Sequence, residues 1–163
     1  MLAHHRLPVC LSFLSVDLPI WSNLETAATL YQKDTERFHL LLTEETPPQE
    51  VEDVASLDGQ NYPNSGKNRL IWLEISPYRV IMTMQGHGTV GYRHFWERGI
   101  YGMSRYWLQE NGVQEQNCLR LRNFTYNLQL KGRSLPESLR VEYELWSETL
   151  HLGSYVLHLE LHH

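Results

Sequence analysis

Histidine beside a carboxylate is a common arrangement for moving protons near neutral pH. Residues 86–99, GHGTVGYRHFWERG, hold His87, Arg93, His94 and Glu97 within eleven positions. In an enzyme built on this cluster, His87 or His94 would act as general acid or base and Glu97 would orient it. Arg93 or Arg105 would then fix an anionic substrate in a barrel-shaped pocket. Glycines around the cluster allow close approach of backbone to a ligand. The spacing is not that of a metal motif, because two histidines and one acid still need a convergent third or fourth ligand. His4, His5, His162 and His163 could add ligands only if the chain ends meet. No spacing in the chain requires a metal or a cofactor, and none is expected. Nucleophilic and phosphate-binding signatures are missing too. Neither Cys10 nor Cys118 has a histidine close by in an arrangement for catalysis, there is no Gly-x-Ser-x-Gly elbow, and Gly66-Lys67-Asn68 lacks the remainder of a phosphate loop.

The stronger pattern interleaves cations with rings. Arg93, Phe95, Trp96, Arg98, Tyr101, Arg105 and Trp107 fall within fifteen positions, and Arg120 and Arg122 follow. Arginine, tyrosine and tryptophan are enriched at the energetic centres of interfaces. The first reading is therefore a non-catalytic binding or assembly protein. These seven residues would hold a protein partner, a second copy of the chain included, or a bulky small molecule. The same residue types can hold single-stranded RNA by phosphate contacts and base stacking, which makes RNA a third reading after partner binding and enzyme.

Charge limits these readings. The formal net charge is −5, which argues against a DNA-binding protein. Its distribution is uneven: Glu44, Glu45, Glu50, Glu52, Asp53 and Asp58 form an acidic run without a base, whereas residues 92–140 carry eight bases and four acids. A net-acidic chain can thus carry a basic face. Two cysteines in apolar surroundings read as buried free thiols in a reducing, cytoplasmic setting. No apolar run approaches the length of a membrane span, and the short run after Arg6 reads as a first strand.

The elements that must position these residues are mostly strands. Residues 119–161 alternate with the two-residue period of antiparallel sheet, and two parity changes predict bulges at Arg122 and Asn123 and again at Gly153 and Ser154. Leu139, Val141, Tyr143 and Leu145 should face inward. Residues 37–43 and 69–85 read as a strand and a hairpin, with Tyr78, Val80, Met82 and Met84 on one face. Residues 92–110 read as strands or an irregular element. Residues 22–33, SNLETAATLYQK, read as a short helix capped by Ser22 and Glu25, with Leu24, Ala27, Ala28 and Tyr31 on one face. Residues 43–68 read as a long polar, acidic loop able to cover a site. The expectation is a single mainly β domain over 1–163: a curved antiparallel sheet or small β-barrel with a short N-terminal helix.

Overall fold

The structure, a computed structural model, describes residues 4–45, 68–86, 90–108 and 118–163. Ten strands account for nearly all of them: β1 (His4–Ser15), β2 (Trp21–Gln32), β3 (Phe38–Glu45), β4 (Asn68–Ile75), β5 (Arg79–Gly86), β6 (Val90–Glu97), β7 (Tyr101–Leu108), β8 (Leu119–Lys131), β9 (Ser138–Ser147) and β10 (Leu150–Leu161). Each strand pairs antiparallel with its neighbours in sequence, and β10 closes on β1, from Val9 opposite Leu161 to Ser15 opposite Tyr155. The mainly β expectation holds, in its barrel form.

Strict alternation builds the interior. Leu40 and Leu42, Leu73 and Ile75, Val80 and Met82, Leu139 and Val141, and Leu157 and Leu159 all point inward and are buried. Tyr143 and Leu145 join them as expected, whereas Tyr78 sits in the turn before β5 and is largely exposed. In a meander of this kind the β1–β2, β3–β4, β5–β6, β7–β8 and β9–β10 connections share one end of the barrel. Trp96, Phe38, Val80 and Leu139 fill the interior toward the other end.

The expected helix is a strand. β2 runs through the whole of Trp21–Gln32, paired with β1 on one side and β3 on the other. Leu24, Ala28 and Leu30 fit a two-residue period as well as Leu24, Ala27, Ala28 and Tyr31 fit a helical one. The helical pattern leaves Leu30 off its apolar face, and in the barrel Leu30 is fully buried. Two neighbouring ladders outweigh a local capping signal. Ser22 lies opposite Phe13, and Glu25 points outward opposite Cys10.

One bulge is displaced and the other nearly in place. The β8–β9 register shifts between Thr125 and Asn127, with Tyr126 as the extra residue, rather than at Arg122 and Asn123. Asn123 and Thr125 point inward and are buried, while Phe124 and Tyr126 face out. The β9–β10 shift falls at Leu152, beside the expected Gly153. Glu44 and Glu45 belong to β3, so the connection expected over 43–68 begins later; its residues 46–67 lie outside the described residues. Cys10 and Cys118 are free and half-buried, not buried. The Cys10 thiol donates to Asn23 Oδ1 at 2.9 Å on the outer face. Partial burial, then Glu25 and Glu160, hold its pKa above the usual thiol value.

The two readings of β2 separate at adjacent alanines, since a helix would bury both and the strand buries only Ala28. Ala28→Lys places an unpaired charge in the core and should cost roughly 3–5 kcal/mol. Ala27→Lys should change stability by less than about 0.5 kcal/mol. Denaturant midpoints of the two variants check this, and equal losses would contradict the assigned faces.

Candidate functional site

Alternation sorts the residues of β6 and β7 to opposite sides of the wall. Tyr92, His94 and Trp96 point into the barrel with Ser104 and Tyr106, whereas Arg93, Phe95, Glu97, Tyr101, Arg105 and Trp107 lie outside. The acid–base pair envisaged for His94 and Glu97 is therefore not assembled, because odd and even positions of one strand cannot meet. His87 lies outside the described residues. Trp96, expected on the binding surface, is fully buried. Arg98 is in the exposed turn after β6, where its N–H donates to Tyr78 O at 3.3 Å.

His94 is held by a buried chain of hydrogen bonds. Asn123 Nδ2 lies 3.0 Å from Phe95 O and 2.9 Å from Ser104 Oγ, and it donates one proton to each. Ser104 Oγ then has one proton of its own, and His94 Nδ1 at 2.7 Å is positioned to accept it. We assign His94 the tautomer protonated on Nε2 from this network, and that N–H faces the Tyr106 hydroxyl at 3.3 Å. The imidazole stacks on Trp96 with centroids 4.8 Å apart and planes 8° from parallel, and Tyr143 packs nearby at 5.9 Å.

Burial decides the charge state of this layer. Desolvation pushes His94 down to about 3, so the ring is neutral at physiological pH. Burial, assisted by Tyr155, pushes Tyr106 up to about 12. Tyr92 and Tyr143 are likewise raised by burial. All four groups are neutral, and all can form hydrogen bonds.

The same chain also makes a structural junction. The β6–β7 ladder ends at His94 opposite Ser104, so the Asn123 amide supplies the donor for Phe95 O. At Gly102 a Cβ would sit 2.1 Å from Phe95 O, which only glycine avoids. Beyond it the turn after β6 meets β8 directly, with Gly99 N donating to Thr125 O at 2.7 Å.

On the far side of this layer from Trp96, a cavity of about 420 Å³ extends toward the β1–β2 connection. Its walls include Leu11, Phe13, Leu24, Ile71, Met84 and Leu145, and Tyr92, His94, Tyr106, Tyr143 and Tyr155 contribute polar edges. Ile20 and Trp21 line it and are largely exposed. Glu44 and Arg69, 3.7 Å apart, are the charged residues on this lining among the described residues, and they offset one another. Among the described residues no three His, Cys, Asp or Glu side chains gather as a metal site would require.

Similarity to known proteins reaches only as far as the fold. No family model matches the chain, and neither does any curated protein. The crystal structure of the ywiB protein from Bacillus subtilis is similar, with a TM-score of 0.57 and 15% sequence identity over 97% of this chain and 94% of that one. An identity this low shows a common barrel and transfers no activity.

Two measurements check the buried layer. Ser104→Ala leaves His94 Nδ1 and one Asn123 N–H unpaired and should cost about 1–3 kcal/mol. His94 has a folded pKa below its unfolded value, so between about pH 6.5 and 3 the unfolded chain binds the extra proton. Stability from this group is complete above that window and falls with pH within it, by an amount on the order of a few kcal/mol. Denaturant midpoints of wild type and His94→Gln across pH 7 to 4 should converge as pH falls. A constant difference would contradict the assigned neutral state.

Proposed function

We propose that this protein is a non-catalytic carrier or sensor that holds a bulky, uncharged, largely apolar small molecule inside one end of the barrel. The observation that carries this reading is the interior cavity of about 420 Å³, bounded by apolar side chains and floored by a neutral polar layer. A volume of this order is normal for a small-molecule site, as are apolar walls with a few placed polar groups. The floor presents hydroxyls and no net charge. Tyr106 accepts from His94 and so has its own O–H to offer a carbonyl or ether oxygen of the bound molecule. Nothing in this layer activates a nucleophile or accepts a proton near pH 7, which weighs against the enzyme reading.

Charge selectivity follows from the same physics. An anion brought to this floor would lose water and, among the described residues of the lining, find no cation except Arg69, already facing Glu44. Phenylnaphthylamine, a neutral fluorescent probe, should therefore bind at least about tenfold tighter than its sulfonated analogue anilinonaphthalene sulfonate. Leu24→Trp places an indole in the cavity and should abolish probe binding while preserving the thermal midpoint. Fluorescence titration with both probes, beside thermal unfolding, gives the answer. Equal binding of the neutral probe by wild type and Leu24→Trp would contradict the interior site.

A further inference from the structure

A second surface lies on the outside of the barrel and is independent of the cavity. Arg93 on β6 stands directly opposite Arg105 on β7, and Arg105 directly opposite Arg120 on β8. Strands are about 4.8 Å apart, so three cations originate within about 10 Å across one sheet face. Like charges directly opposite destabilise a sheet. None of the three forms an ion pair with a described carboxylate. Among the described residues, fold stability gives no reason for this row.

Flat rings lie alongside it. Arg122, one row along, is opposite Met103, and its guanidinium sits 4.8 Å over the ring of Tyr101. Tyr101 is 56% exposed and packs against Phe124 at 4.9 Å. Trp107 covers Gly91 on the other side of the row, where a Cβ would come within 2.4 Å of the indole nitrogen. Among the described residues the acids of this region are at its margins: Glu97 is opposite Arg79, and Glu144 is opposite Phe124.

We propose that the outer face of β6–β8 binds a single-stranded polynucleotide. Arg93, Arg105 and Arg120 take successive phosphates, and a base stacks beside Tyr101 and Arg122. An acidic peptide would use the guanidinium edges but would gain nothing from an exposed ring stacked with a guanidinium. A polynucleotide uses both. The net charge of −5 confines contact to this face, and the counterions released from the contacted phosphates make binding weaken with salt.

The test is fluorescence anisotropy with labelled oligouridine of about twelve nucleotides, long enough for a site of this size. The logarithm of affinity should fall with log salt at a slope of about −2 for three phosphates between about 50 and 200 mM. Arg105→Gln should weaken binding about tenfold and make the slope shallower by about 0.7. Because it relieves two like-charge contacts, its denaturation midpoint should equal or exceed that of wild type. Tyr101→Ala should weaken binding at least about fivefold with an unchanged slope. Leu24→Trp, which fills the cavity, should bind like wild type. Oligothymidine binding as tightly as oligouridine supports phosphate and stacking contacts alone, and weaker binding of oligothymidine adds a contact to the ribose hydroxyl. No binding at about 50 mM salt overturns the proposal, as does an unchanged slope in Arg105→Gln. Tighter capture of an oligoglutamate peptide, indifferent to Tyr101→Ala, overturns it in favour of an acidic protein segment.

Discussion

One chain of hydrogen bonds links the buried polar side chains Asn123, Ser104 and His94 and ends at Tyr106, while Asn123 Oδ1, Thr125 Oγ1 and the Trp96 indole nitrogen beside it have no partner among the described residues. Its consequences spread outward. Asn123 must point inward to reach Ser104 and Phe95 O, so Thr125 points inward as well. Phe124 and Tyr126 are turned to the outside. Leu128 and Leu130 can return to the core only if the strand gains a residue, which it does at Tyr126. Apolar parity between Leu121 and Leu128 requires the bulge, and the inward hydrogen bonds of Asn123 place it beyond Thr125. Gly102 belongs to the same arrangement, because Phe95 O and the Asn123 side chain occupy the space a Cβ would need.

Barrel size supplies the second constraint. About eight strands leave an interior just wide enough for side chains to fill, and additional strands widen it. With ten strands, the end containing Trp96 is filled by large side chains, while the other retains a cavity. The neutral layer divides the two. The wall then separates two chemistries: an interior whose described charges, Glu44 and Arg69, offset one another, and an outer face on which arginines stand side by side. Strand alternation lets residues adjacent in sequence, such as Arg93 and His94, serve these unrelated environments.

Much of the barrel could be read from the chain because its signal is local. Leu139, Val141, Tyr143 and Leu145 alternate with charged residues and face inward as that pattern demands. β2 misled because Leu24, Ala28 and their neighbours satisfy both periods, and ladders with distant partners decide between them. The site was legible only in part. His94 stands out as a histidine among glycines and rings, but its chemistry depends on Ser104 and Asn123, and unremarkable polar residues in strands give no signal until parity is known. Glu97 was drawn to His94 by proximity in sequence, and pleating separates them. The arginines could be counted from the chain, yet their alignment in one row is a matter of register, which comes from pairing.

A buried, neutral polar chain floors the cavity. Long-range nitrogen–proton correlation of the His94 imidazole, followed from pH 7 to 4, tests this most directly. The ring should carry its proton on Nε2, accept at an unprotonated Nδ1, and not titrate until well below pH 6. A ring that takes up a second proton near its ordinary value of 6.5, or one protonated on Nδ1, would contradict it.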